Sequence, residues 1–234
     1  QAAQHLLAHD SSGALACYEG SSPVAAVQLA VWGRVGAPAG YRAYLDFIDK
    51  PEQRAERQLT VDLLTTNETH FFREPRHFEL LREELARRMA RPGRTPVRVW
   101  SAACSTGEEP YSLAMTLAEV MRDRPWSVHA SDLSIRVLDD ARAGIYGTQR
   151  ASEVPEPLAF KYLLEGIDEY AGQYRIDSEL RSRVSFQQIN LMQPLPPLEP
   201  FDFIFLRNVL IYFDNDAKQR IVESVARCLK PDGL

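Results

Sequence analysis

The spacing of apolar positions changes near residue 95, and that change divides the chain in two. Before it the spacing is helical. Tyr41 to Ile48 (YRAYLDFI) brings back an apolar residue every three or four positions and predicts a short amphipathic helix, ended by Asp49-Lys50-Pro51. A second helix is predicted from about Glu52 to Leu64, with Leu59, Leu63 and Leu64 on one face, and a polar turn, Thr65 to Thr69, follows. Phe78 to Met89 reads as a basic amphipathic helix stopped by Arg91-Pro92-Gly93. The stretch ahead of Tyr41 is broken by Pro23, Gly33, Gly36, Pro38 and Gly40. These signals predict a helical N-terminal domain over residues 1–74 and a linker helix over 75–94.

After residue 95 short apolar runs alternate with helical periods. Val97–Ser101, Ser127–Ser131, Val184–Ile189 and Phe201–Leu206 are predicted strands; the first helix runs to about Arg122, and others occupy Ser134–Ala143, Pro155–Leu164 and Asp216–Leu229. Strands separated by helices predict an α/β domain around a parallel sheet, over residues 95–234. The alternation is interrupted between Ile167 and Arg183, where pieces such as Gln173-Tyr174-Arg175-Ile176 predict a small β insert at about 167–183.

Composition narrows the class only a little. The 234 residues are 45% hydrophobic and 25% charged, as in ordinary globular proteins, and the net charge of −5 offers nucleic acid no basic face. No apolar run is as long as a membrane-spanning helix, and the start lacks a secretory signal pattern. Three scattered cysteines and five scattered histidines form no metal-ligand spacing or disulfide framework, which suits a reducing cytoplasm. The expectation is a cytoplasmic, monomeric protein that is not membrane-inserted and holds no metal. A start at Gln1 and a stop after Lys-Pro-Asp-Gly read as cut ends, so a fragment of poor stability is expected.

The chemistry concentrates at strand ends. Val97 to Pro110 reads as strand, tight turn and helix start, and the small side chains of Ala102, Ala103, Ser105 and Gly107 let a ligand reach the backbone. Glu108 and Glu109 then occupy the first helical turn, where they complement the helix dipole and would repel a phosphate while welcoming a cation. That predicts a nucleoside ligand without phosphates, and disfavours the pyrophosphate of a dinucleotide. Cys104 lies in the turn with no activating neighbour and reads as packing. Asp132, ending the second strand, is placed to hold a ribose hydroxyl pair; its other reading is a helix cap. Asn190 and Leu191 pair an amide with an apolar cover suited to an adenine. Arg207 and Asn208 follow the fourth strand directly, and Tyr212 is either a core aromatic or part of the pocket.

Five blocks then carry a specific resemblance: Thr65 to Glu74 (TTNETHFFRE), Ser101 to Ser112, Ser131-Asp132, Phe205 to Phe213 (FLRNVLIYF) and Leu229 to Gly233 (LKPDG). In this order they resemble the chemotaxis receptor methyltransferases, the CheR family, from about Tyr41 to the last residue. The resemblance implies a class I, Rossmann-like S-adenosylmethionine-dependent methyltransferase with a helical N-terminal domain and an antiparallel insert that helps dock the receptor. It implies S-adenosylmethionine as cofactor and S-adenosylhomocysteine as product. The substrate would be glutamate side chains on the cytoplasmic domain of methyl-accepting chemoreceptors. Asn67, Thr69 and Arg73 would contact the cofactor from the helical side, together with Glu108 or Glu109, Asp132, Asn190, Leu191 and Asn208. Arg73, Arg207 and Tyr212 would shape the catalytic pocket. The alternatives are a methyltransferase of the same fold acting on another protein or a small carboxylate, and a catalytically silent binding module. The first forty residues depart from the family's basic N-terminal helix, and the family's last strands lie past Leu234.

Overall fold

A computed structural model describes residues 41–65, 67–90 and 95–234; the broken stretch ahead of Tyr41 and the Arg91-Pro92-Gly93 stop lie outside them. Two helices lead, α1 (Tyr41–Ile48) and α2 (Arg54–Leu64), and a longer one, α3 (Arg76–Met89), follows the 67–75 segment. The α/β part then runs β1 (Val97–Ala102), α4 (Glu108–Met121), β2 (Trp126–Asp132) and α5 (Ile135–Ala143). It continues with β3 (Ile145–Gly147), α6 (Thr148–Ala151), α7 (Glu156–Tyr162), β4 (Leu163–Glu165) and β5 (Gln173–Ile176), and closes with α8 (Ser178–Ser182), β6 (Val184–Gln188), β7 (Phe203–Leu206) and α9 (Asn215–Ala226).

Four strands make one parallel sheet in the order β6-β2-β1-β7, with β1 central, Val97 opposite Trp126 and Val99 opposite Phe203. A central parallel strand is covered on both faces, and its period of two sorts side chains between two cores. Val97 and Val99 enter the core shared with α3 and α4, where Leu81, Leu85, Leu113 and Leu117 are buried. Trp100 and Ala102 point the other way, to Phe201, Phe213, Ile221 and Val225 under α9. The Trp100 indole N–H donates to Ser131 Oγ at 3.0 Å, so its burial leaves no orphan donor. Helix α4 is apolar nearly all round, because α3 and the sheet enclose it. Its polar Ser112 and Thr116 survive burial by donating to the carbonyls of Glu108 and Ser112, four residues back.

Local signals set the helix ends. Ser134 Oγ accepts from Val137 N at the start of α5, and Gly144, at φ 60°, ends it in the left-handed conformation. Asp214 caps α9 through Ala217 N.

The antiparallel insert differs from its predicted place. Its sheet, in the order β3-β5-β4, draws on residues 145–147, 163–165 and 173–176, so it begins well before 167, and 178–182 is helix. Leu163–Glu165, inside the predicted Pro155–Leu164 helix, becomes a strand because Leu163, Leu164 and Glu165 pair with Ile176, Arg175 and Tyr174. The predicted Phe201–Leu206 strand pairs with β1 only from Phe203. Phe201 instead exchanges backbone bonds with Cys228 and Lys230 after α9. Among the described residues no helix is long and apolar enough to cross a membrane.

Candidate functional site

At the carboxyl ends of the parallel strands lies a cavity of about 250 Å3. Its floor is the turn after β1 (Ala103, Cys104, Ser105), its sides are Asp132 and Leu133 after β2 and Ile189 to Leu191 after β6, and Arg207 to Phe213 closes one end. The roof is made by Leu64, Thr65, Asn67 to His70 and Arg73. The geometry thus brings together Asn67, Thr69, Arg73, Glu109, Asp132, Asn190, Leu191, Arg207, Asn208 and Tyr212 from distant parts of the chain. Glu108 is the exception.

The two glutamates of the first helical turn face different ways, since successive helical positions are about 100° apart. Glu109 faces the cavity, where Ser101 Oγ donates to it at 2.7 Å and Arg207 Nη1 at 3.1 Å. Burial pushes its carboxyl up to about 7, against the opposing pull of the Ser101 hydroxyl and the Arg207 guanidinium. Glu108 is turned away from the cavity and fully buried, held by Thr106 Oγ1 at 2.7 Å and by Arg150. The sequence offered either residue as a ligand contact; the structure gives the cavity face to Glu109.

Asp132 serves the turn and the helix cap at once. Its Oδ2 accepts from Ser105 N at 2.8 Å and its Oδ1 from Ser134 N at 3.1 Å. Burial raises its carboxyl above the usual range, opposed by those backbone donors. The turn is also pinned to the roof, because Ser105 Oγ donates to Asn67 O at 3.0 Å. Small side chains at this turn have a further reason: Ala103 (φ 67°), Ser105 (φ 50°) and Gly107 (φ 97°) are all left-handed. Phe72 (φ 52°), Glu74 (φ 59°) and Asn208 (φ 56°) add more of this strained backbone around the cavity.

Arg207 is the electrostatic hub. Besides Glu109 it pairs with Glu74 Oε2 at 3.2 Å and donates to Arg73 O, while its buried Nε has no hydrogen-bond partner among the described residues. Glu74, which the sequence reading did not single out, also accepts from Asn208 Nδ2 at 3.2 Å, and these donors hold its carboxyl below the usual range. The carboxylate in TTNETHFFRE was its only signal, with nothing in sequence to link it to Arg207. Arg73 donates to the Glu68 carbonyl at 3.0 Å, and among the described residues no carboxylate pairs with it. Burial, with Asp132 and Glu109 nearby, raises the Cys104 thiol well above its ordinary value, so it stays protonated and is no nucleophile. Among the described residues no cluster of three His, Cys, Asp or Glu side chains could hold a metal ion.

The donor set fits a phosphate-free nucleoside that carries positive charge. Two partly buried carboxylates and three amide side chains line a pocket whose other walls are Leu133, Ile189, Leu191 and Val209. A phosphate would meet Asp132 and Glu109 first.

Residues 67–234 match the family model described as CheR methyltransferase, SAM binding domain. Among curated proteins, chemotaxis protein methyltransferase 2 of Pseudomonas aeruginosa is 45% identical over 204 residues, covering 86% of this chain and 70% of that protein. The chemotaxis protein methyltransferase of Escherichia coli is 42% identical over 194 residues, 82% of this chain and 66% of its own length. The chain thus spans about two thirds of the length of these relatives.

Proposed function

The chain belongs to the CheR methyltransferase family, and from that premise we propose that it transfers a methyl group from S-adenosylmethionine to glutamate side chains of chemoreceptors. The observation that carries this reading is the cavity itself. It joins the Asn67–Arg73 roof to four strand ends and sets one partly buried carboxylate, Glu109, beside the arginine Arg207. Asp132 is assigned to the ribose, Asn190 and Leu191 to the adenine, and Asn67, Thr69, Glu109 and Asn208 to the remainder of the cofactor, with Arg73 and Tyr212 beside the reacting groups. When bound, the cofactor supplies an electrophilic methyl group on a sulfonium.

The chain's own task is then positioning. A glutamate carboxylate is already a competent nucleophile, so no general base is needed, and rate comes from alignment and exclusion of water. An acidic substrate approaching Glu109 and Asp132 needs a cation. Arg207 has its charge answered by Glu109 and Glu74, so Arg73 is assigned to orient the incoming carboxylate and Arg207 to hold the pocket's shape. A partner of this kind places the enzyme at the cytoplasmic face of a receptor-bearing membrane.

The test has two parts. Calorimetric titration with S-adenosylhomocysteine should show binding, and absence of binding at high micromolar concentration would remove the cofactor reading. Labelled methyl from S-adenosylmethionine should then appear on receptor-containing membranes and leave in mild base, as an ester does. Base-stable label, or none on receptors, would overturn the substrate assignment.

A further inference from the structure

The turn after β1 is gripped by the insert as well as by the sheet. Tyr146, on β3, donates through its hydroxyl to Thr106 O at 2.9 Å. Arg150, on α6, donates to Thr106 Oγ1 at 3.0 Å and to the fully buried Glu108 carboxylate. Just beyond α6, Glu153 Oε2 accepts from Phe71 N at 3.1 Å, in the segment that roofs the cavity. The Phe71 and Tyr146 rings meet edge to face with centroids 4.8 Å apart, tying the two grips together. None of Tyr146, Arg150 and Glu153 lines the cavity. Each holds a residue next in sequence to one that does: Thr106 adjoins Ser105, Glu108 adjoins Glu109, and Phe71 adjoins His70.

The stakes of this arrangement lie in Glu108. Its side chain has no exposure, and burial raises its carboxyl against the pull of Thr106 and Arg150. A charge buried there at the start of α4 needs its counter-charge, and the counter-charge sits on the insert. A small shift of α6 therefore moves both the floor and the roof of the cavity.

Resting on the cofactor reading above, we propose that Arg150 and Glu153 are positioning residues for methyl transfer: they seat the insert against both walls of the cavity and thereby set cofactor affinity. Neither touches the reacting atoms. Both act through the neighbours they hold. By reciprocity, a ligand that shifts the insert alters cofactor affinity by the same factor by which the cofactor alters its own.

The experiment titrates S-adenosylhomocysteine into wild type, Arg150→Met, Arg150→Lys and Glu153→Gln, and measures kcat and KM for S-adenosylmethionine in parallel. Arg150→Met removes its bonds to Thr106 and Glu108 and should weaken binding about tenfold and raise KM by a similar factor with kcat little changed. Arg150→Lys should recover most of the affinity, and Glu153→Gln should lose about threefold. Asp202→Asn, at the far end of the sheet, serves as a destabilised control that keeps wild-type affinity. Where Arg150→Met fails to fold, the double variant Glu108→Gln/Arg150→Met removes both charges and should show the same weakening. Wild-type affinity in the Arg150→Met or double variant overturns the proposal while leaving the cofactor reading intact, as does equal weakening in Asp202→Asn. A wild type that does not bind S-adenosylhomocysteine overturns the cofactor reading itself.

Discussion

Replacing Glu109 by Gln isolates one of the ionisations that burial in the cavity shifts. In the folded protein this carboxyl lies at about 7, against an ordinary 4.5, chiefly because it is buried. The sign follows directly. At pH values under 4.5 folded and unfolded chains both hold the proton; between 4.5 and about 7 only the folded chain does, so stability falls across that window and then levels. A shift of that size corresponds to about 3 kcal/mol at neutral pH, relative to an unshifted carboxylate. A cationic ligand selects the ionised form, and apparent affinity scales with the fraction of protein in that form. From pH 5.5 to pH 7 that fraction rises from about 3% to about 50%, so affinity for S-adenosylmethionine should rise about fifteenfold, about 1.6 kcal/mol. Binding should also release a proton. Isothermal calorimetry in two buffers of different ionisation enthalpy measures both effects. Glu109→Gln should flatten the pH dependence and abolish the release while keeping the Ser101 hydrogen bond. A flat profile in the wild type, or an unchanged slope in Glu109→Gln, would refute the reasoning.

Two further outcomes concern stability. Asp202 is almost fully buried and accepts from Arg88 Nη1, Lys230 Nζ and Arg98 N at 2.9, 2.8 and 2.8 Å. Asp202→Ala should therefore lower unfolding free energy in urea by about 3–5 kcal/mol, with affinity per folded molecule unchanged. Gly107→Ala places a Cβ at φ 97° within 2.9 Å of both Ala141 Cβ and Tyr146 Oη. It should destabilise by about 1–3 kcal/mol in thermal melts and weaken S-adenosylhomocysteine binding, because the turn must shift; an unchanged melt would count against the tight packing at Gly107.

The strands of the parallel sheet were legible because each carries apolar residues, continuous in Phe203–Leu206 and alternating with polar ones in Trp126–Asp132, bounded by turn chemistry, and their carboxyl ends pointed to the site. Ten of the eleven residues expected to contact the ligand or shape the pocket form one surface only after folding, but each stood beside a recognisable strand end or in the Asn67–Arg73 block. The insert was less legible. Strands of three residues, such as Ile145–Gly147 and Leu163–Glu165, are too short to show a period, and their pairing is decided by tertiary contact. The split between Glu108 and Glu109 was hidden for another reason: adjacent helical residues have equal claims until the helix is rotated against the sheet. Glu74 and Arg150 were missed because their partners Asn208 and Glu108 lie 134 and 42 residues away in sequence, and nothing local marks a contact of that span.

Of the seven non-glycine residues with left-handed backbone among the described residues, Ala103, Ser105 and Asn208 line the cavity, and Phe72 and Glu74 flank Arg73 of its roof. Each is a place where glycine would relax the chain, so an evolutionary search for heat resistance finds its easiest gains beside the ligand. The same replacements would loosen the floor and roof that the ligand must find ready-made. Lineages of this protein that move to hotter habitats are thus expected to gain robustness in the ion pairs at the opposite end of the sheet, around Asp202, and to leave the strained rim alone.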